Sequence, residues 1–270
     1  MNRVAGADPS GFYLYCFTRP DAGRADTVTE ALATEALVIQ DVAVIFARVP
    51  LEEWEGAEAE ACLQDSKWLI PRALAHEQVV EAYLAQAPVL PVRFGAVFSS
   101  ATALTEFVTL RIGEISGFLD RMRGFEEWAV KGILDLGRME QWLTSTDAVL
   151  AERRRNLPES PGTRYFQEKR LKADLLKLSR QWGSALAETL SEELNPCAVE
   201  VHLLRAQKMA EADREMLFHA AFLVSCTAVG AFQGHVERLQ EQHALQGLTL
   251  EISGPWPPYS FCPELAETPA

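Results

Sequence analysis

The sequence predicts an α+β protein of two domains, an N-terminal α/β domain over 1–124 and a C-terminal domain over 125–270. Three observations carry that prediction. Stretches with apolar residues three and four apart are separated by short alternating or β-branched runs, so helices and strands share each half. The 270 residues exceed the roughly 100–200 of an ordinary domain, and a composition 48% hydrophobic and 23% charged belongs to a chain that buries real cores. Finally, the pattern changes at Gly124, where a long amphipathic stretch gives way to the alternating run Phe125-Glu-Glu-Trp-Ala-Val-Lys-Gly-Ile-Leu134.

In the first half, Gly11-Phe-Tyr-Leu-Tyr-Cys-Phe-Thr18 is dense in aromatic residues and too short for a stable helix, which predicts a buried opening strand. Pro20-Asp-Ala-Gly23 turns the chain, and Asp26 to Ala36 favours helix. The β-branched run from Leu37 to Ala47 reads as one strand or a pair pivoting at Gln40-Asp41, ended by Pro50. Leu51 to Gln64 reads as an acidic helix whose Glu52, Glu53, Glu55, Glu58 and Glu60 form a solvated face near its positive end. A second helix follows from Ser66 to about Gln86, its apolar side set by Leu69, Ala73, Val79, Val80, Tyr83 and Leu84. Pro88 and Pro91 reduce Val89 to Phe94 to an edge strand or strand end. Thr102 to Met122 is helical again, with Leu104, Phe107, Val108, Ile112, Ile115, Phe118 and Leu119 at three-four spacing.

The second half opens with the strand at Phe125, followed by a short helix near Met139 to Leu143. Pro158-Glu-Ser-Pro-Gly162 breaks the chain before a long helix from about Thr163 to Glu193, with a seam of Leu171, Leu175, Leu178, Trp182, Ala185 or Leu186, and Leu190. Cys197 to Arg205 and Glu215 to Cys226 alternate as an antiparallel strand pair. Val229, Phe232, Val236, Leu239 and His243 mark another amphipathic helix, and Leu248-Thr-Leu-Glu-Ile252 a last strand. Strand, helix, strand, strand, helix, strand is the order of a ferredoxin-like sandwich, modified here by an elongated first helix expected to protrude beyond the sheet.

Charge narrows the function classes. The net charge of −13 repels phosphate backbones and anionic lipid, so neither nucleic acid nor membrane is expected as a partner. That charge is segregated: Arg153 to Arg180 holds nine Lys or Arg against three acids, a local +6 that leaves −19 elsewhere. Its interspersed leucines read as a packed helix with a charged outer face, the alternative being an anion patch. Cys16, Cys62, Cys197, Cys226 and Cys262 are widely spaced and read as free thiols, with Cys16 and Cys226 as small buried hydrophobes. Met1 to Pro9 lacks a signal-peptide pattern, and Ala220 to Phe232 is too short to span a bilayer, so a reducing, cytoplasmic location is expected.

Catalytic motifs are missing. No phosphate-cradling glycine pattern and no nucleophile elbow occurs, and Gly113-Glu-Ile-Ser-Gly117 has its serine one place late. His76-Glu77 opens a zinc-protease pattern, but Val80 takes the second histidine's place. His202 and His219 fall on strands that pair, which leaves a two-ligand metal site conceivable beside the reading as structural histidines. No catalytic residue, metal or cofactor is assigned, so an enzyme is not expected. A ligand-sensing regulatory ferredoxin-like protein is the alternative function. The most distinctive string is Gly254-Pro-Trp-Pro-Pro-Tyr-Ser-Phe261, stiffened by three prolines and carrying three large rings. It reads either as a clamp packed back on its own domain or as an aromatic patch for a partner.

Five strings in order give the chain a resemblance to a known family: Gly11-Phe-Tyr-Leu-Tyr15; His76-Glu-Gln-Val-Val80 followed by Val89-Leu-Pro-Val-Arg-Phe-Gly95 and Val97-Phe98; Trp128-Ala-Val-Lys131; Gly162-Thr-Arg-Tyr-Phe-Gln-Glu-Lys169; and Gly254 to Phe261. Together they resemble the gas vesicle protein F/L family of accessory gas vesicle proteins. The resemblance implies two α+β domains, the second a modified ferredoxin-like fold, no known enzymatic activity, and association with the small hydrophobic shell protein and other accessory proteins during vesicle nucleation and assembly. The expected location is then the gas vesicle within the cytoplasm. The surfaces expected to meet such a partner are the proline-bracketed edge, with Val89, Val92, Arg93 and Phe94, the tail residues Trp256, Pro257, Tyr259 and Phe261, and the protruding helix. Packing within the protein is the competing reading, above all for Phe94.

Overall fold

The structure, a computed structural model, describes residues 10–22, 33–205, 209–211 and 213–265. The helix expected from Asp26 lies mostly outside them, and its end at Thr34 to Ala36 is strand instead. Two compact units emerge: residues up to Gly124 together with the segment from Trp256 onward, and Phe125–Pro255. The boundary at Gly124 falls at a glycine with φ 81°. The tail, placed in the C-terminal domain by sequence, groups with the first unit.

The first unit is built on β1 (Ser10–Thr18), which runs antiparallel to β3 (Val42–Pro50) on one side and to two short strands, β4 (Leu90–Pro91) and β5 (Val97–Phe98), on the other. Beyond β3 lies β2 (Thr34–Ile39). The β2–β3 hairpin turns at Gln40, whose φ of 55° supplies the left-handed residue that a two-residue hairpin needs. Both faces of β1 are buried, so the run is continuously apolar instead of alternating. On one face Tyr13, Tyr15, Ala43 and Ile45 meet Val79, Val80 and Tyr83 of helix α2 (Ser66–Leu84). The opposite face carries Leu14 and Phe17 toward helix α3 (Ala101–Arg121), whose Leu104, Val108, Ile115 and Leu119 are wholly buried. Asp65 and Ser100 cap these two helices, accepting from Lys67 N and Ala103 N. Gly11 is required where β1 passes under Leu51 and Val97, since a Cβ there would sit 2.5 Å from the Leu51 side chain.

The acidic helix expected from Leu51 to Gln64 is broken. A single 3₁₀ turn, Leu51–Glu53, is followed by Trp54 and Glu55, and helix α1 (Gly56–Gln64) starts only after Gly56 takes φ 78°. The break lets the Trp54 ring reach the core, 4.6 Å from Tyr13 and 5.1 Å from Trp68 by ring centroids.

The second unit has a four-stranded sheet in the order β7 (Glu200–Leu203), β8 (Arg214–Ser225), β6 (Phe125–Asp135), β9 (Leu248–Trp256). This is the strand order the ferredoxin-like reading demands. Helix α6 (Pro161–Leu194) and helix α7 (Val229–His243) cover one face, bringing Leu186, Leu190, Leu194, Phe232, Val236 and Leu239 onto Val130, Phe218, Ala220, Phe222 and Leu250. At Gly132 the β6–β8 register slips, and a Cβ would lie 2.5 Å from the Phe218 ring, so glycine lets that ring approach the strand.

Two helices, α4 (Leu136–Thr146) and α5 (Ala148–Arg155), stand between β6 and α6, capped by Asp135 and Asp147. Sequence reading found the first and merged the second into the basic stretch. They support the middle of α6, where Leu143 and Leu150 pack on Leu171 and Leu175. The seam of α6 continues through Ser179 and Gly183 to Leu186, Leu190 and Leu194, whereas Leu178, expected in it, is exposed. Spacing by four lets Gly183 approach Leu217 closely, with 2.9 Å left for a Cβ. Every residue of 161–170 is exposed, so the first turns of α6 extend past the helices that support it. All five cysteines are free, but Cys226 is exposed where a buried position was expected, because it lies one residue past the end of β8.

Candidate functional site

The proline-bracketed segment and the aromatic tail converge within the first unit. Pro88 and Pro91 hold Leu90–Pro91 against Cys16 and Phe17 of β1, after which Val92 N donates to Tyr15 O at 3.0 Å. The chain then loops through Phe94 and Gly95 to rejoin β1 at Val97–Phe98. The tail closes over this region. Tyr259 Oη donates to Glu77 Oε1 at 3.0 Å, Arg121 donates through Nη2 to Phe261 O at 2.7 Å, and the Cys262 thiol donates to Pro258 O at 3.2 Å. Burial, followed by the facing Glu77 charge, pushes the Tyr259 phenol above the usual tyrosine range, and burial raises Glu77.

Between these segments lies a groove of about 720 Å³. Leu14, Phe17, Phe98 and Phe107 give it an apolar floor, and Val92, Arg93, Tyr259 and Glu264 line its sides. The Phe98 and Phe107 rings meet edge to face at 5.2 Å, fixing the floor. The accessible lining is as polar as it is apolar, with one cation and one anion at its rim. It suits a short apolar segment with polar flanks.

The eight residues expected to meet a partner separate into distinct positions. Val92, Arg93 and Tyr259 line the groove. Val89 is wholly buried in the core beneath it. Phe94 is half-buried, its ring 5.6 Å from Trp54, 6.0 Å from Tyr13 and 5.9 Å from His76. Pro257 and Phe261 are buried and anchor the tail, whereas Trp256 is 43% exposed. The tail is thus a clamp, but on the first unit, whereas its own C-terminal domain was the expected support.

Behind the groove His76 is 1% exposed. Its Nε2–H donates to Val92 O at 3.0 Å, which leaves Nδ1 to accept from Tyr13 Oη at 2.8 Å. Burial lowers its pKa to about 4. This histidine is a neutral strut between α2 and the groove wall. His202 and His219 are not paired across β7 and β8: His202 stands opposite Ala221 and bonds Glu200, while His219 stands opposite Lys131 on β6. Among the described residues no group of three or more His, Cys, Asp or Glu is placed to hold a metal ion. No helix described is long and apolar enough to cross a membrane.

Sequence reading missed Arg19. At the end of β1 it donates to Asp41 in the β2–β3 turn, to Asp120 Oδ1 at 2.6 Å, and to Ser116 O and Oγ at 3.0 Å on α3. Ser116 Oγ also donates to Asp41 at 2.6 Å, and this bond and the Arg19 guanidinium lower the Asp41 pKa. The three partners of Arg19 are 22 to 101 residues away in sequence, so no local pattern could reveal it.

Comparison with known proteins assigns the chain. The profile of "Gas vesicle synthesis protein GvpL/GvpF" matches residues 11–263. Gas vesicle protein L2 of Halobacterium salinarum is 27% identical over 266 residues, 94% of this chain and 92% of that protein. Gas vesicle protein L of a Streptomyces species is 28% identical over 258 residues, 92% of this chain and 91% of that protein. In fold, the crystal structure of gas vesicle protein GvpF from Anabaena sp. PCC7120 matches with a TM-score of 0.63 at 19% identity, covering 94% of this chain and 96% of that one. The GvpF structure from Microcystis aeruginosa gives 0.57 at 19% identity, covering 93% and 98%. With five ordered strings and a family match over nearly its whole length, the chain belongs to the GvpL/GvpF family of gas vesicle proteins.

Proposed function

We propose that this gas vesicle protein acts in vesicle nucleation and assembly by binding the hydrophobic shell protein, working beside other accessory gas vesicle proteins in the cytoplasm and at the vesicle, without catalysing a reaction. The observation that carries this reading is the groove beside β4 and β5, with its Leu14, Phe17, Phe98 and Phe107 floor. Short shell subunits expose apolar segments before they assemble. A partner that covers such a segment in a groove of mixed polar and apolar lining, while its own −13 charge keeps the pair dispersed, holds the subunit available for addition. Val92, Arg93 and Tyr259 are the contacts, Trp256 flanks them, and Val89, Phe94, Pro257 and Phe261 hold the groove in shape.

Co-expression with the shell protein followed by affinity purification tests this. The wild-type chain is expected to retain shell protein, and Val92→Asp with Arg93→Glu to lose most of it while melting at the wild-type temperature. Equal recovery by both chains would remove the groove from the interaction; no recovery by either would remove the shell protein as partner.

A further inference from the structure

A second feature lies away from the groove. The first turns of α6 carry two exposed rings, Tyr165 and Phe166, 61% and 72% accessible and 5.7 Å apart. Lys169 lies four residues after Tyr165 and Arg170 four after Phe166, so each ring has a cation one turn away on its own side. Arg154, Arg155, Lys172 and Lys177 are exposed nearby. Solvated helices seldom need aromatic pairs, and a basic face with aromatic anchors asks for an occupant both acidic and apolar.

The chain itself supplies one. Residues 51–65 contain Glu52, Glu53, Glu55, Glu58, Glu60 and Asp65 with no Lys or Arg, a charge of −6 against the +6 of Arg153 to Arg180, the stretch that contains the arm. That acidic stretch and the following α2 expose Leu63, Ile70 and Leu74 at 47%, 55% and 58%. Glu60 and Leu63 are three apart on α1, and Ile70 and Leu74 four apart on α2. Acid plus aliphatic thus answers base plus aromatic, in charge and in chemistry.

We infer that a second copy of this chain docks here, the Tyr165–Arg170 arm of one copy lying on the α1–α2 face of the next. The contact joins two different surfaces, so each copy brings one arm and one face. Being dominated by exposed charge, it forms at low ionic strength and weakens as salt screens it. It is independent of the groove, and so of the proposed shell-protein contact.

Sedimentation velocity on the full chain tests the inference. At about 50 mM salt the weight-average sedimentation coefficient is expected to rise with concentration, and at about 500 mM to return to that of a monomer. Two variants remove one side each without adding charge: Phe166→Ser with Arg170→Ser on the arm, and Glu60→Ser with Leu63→Ser on the face. All four positions are solvent-accessible, and unchanged melting temperatures confirm folding. Each variant alone is expected to sediment as a monomer at low salt, whereas an equimolar mixture forms 1:1 dimers and nothing larger, since one intact arm meets one intact face. A wild-type chain that is monomeric at every salt and concentration overturns the inference. So does association that survives both variants, a mixture that stays monomeric, or an arm that instead binds phosphatidylserine vesicles while the chain remains monomeric.

Discussion

Tyr13 and His76 show how one hydrogen-bonded pair sets the chemistry of a whole wall. With Nε2–H committed to the Val92 carbonyl, a second proton on the ring would face the Tyr13 hydroxyl in a site built from the Tyr13, Tyr15 and Phe94 rings. The neutral ring is therefore favoured, with its pKa down from an ordinary 6.5 to about 4. The unfolded chain takes up this proton as pH falls below about 6.5 and the folded chain only near 4. His76 therefore stabilises the fold fully above pH 6.5, and the contribution drains away on the way down to pH 4. At about 1.4 kcal/mol per decade of proton affinity this amounts to about 3 kcal/mol. Glu77, whose pKa burial raises, acts in the opposite direction at the acid end. Urea unfolding at pH 7 and pH 4.5 is expected to show His76→Gln less stable than wild type at pH 7 but losing less on acidification; equal losses in both proteins would refute the role. In the sequence His76 could be read only negatively, as half of a zinc motif. Its true partners, Tyr13 and Val92, lie 63 and 16 residues away and become neighbours only through β1 and β4. The same distance hid Arg19, while Val92, Arg93 and Tyr259, which line the groove, stand where prolines and rings crowd the sequence.

Helix α6 shows which properties of an element its sequence carries. Its length and apolar seam were readable because 3.6-residue periodicity survives over 34 residues. The small residues of the seam were not, since Ser179 and Gly183 have no apolar signature, yet both are buried, Gly183 against Leu217 and Leu134 of the sheet. For the same reason Leu178, apolar but rotated away from that line, was misplaced. The break at Gly56 in the acidic segment was invisible because the demand for it comes from the Trp54 ring and its contacts with Tyr13 and Trp68. Along α6 these differences predict a steep gradient of mutational cost. Leu175→Ala removes a side chain 7% exposed between Leu150 and Leu171, and is expected to cost about 2–4 kcal/mol. Phe166→Ser, nine residues earlier in a fully exposed stretch, is expected to stay within about 0.5 kcal/mol of wild type. Chemical denaturation of both variants measures the contrast, and comparable losses would mean that the first turns of α6 are packed.

Over the whole molecule, the first unit is discontinuous in sequence. Its sheet and helices come from residues before Gly124, yet Pro257, Pro258 and Phe261, all buried, arrive only after the chain has passed through the second unit. The division between the units falls where strand alternation begins at Phe125. The return of the tail was not legible, because a proline-rich aromatic segment carries no sign of which core will accept it. The consequence is directional. A chain terminated after Pro255 loses the Phe261 burial, worth about 3–5 kcal/mol in a large-to-small substitution, together with the Tyr259–Glu77 and Arg121–Phe261 bonds. All of these fall on the first unit, at α2, α3 and the groove. Hydrogen exchange on the truncated chain is therefore expected to show lost protection in Ser66–Leu84 and Ala101–Arg121, with β6 and β8 still protected. Uniform loss across both units would mean that they unfold as one. Unchanged protection throughout would mean that the clamp adds nothing to the first core, and the groove it walls would then be formed by Val92 and Arg93 without it.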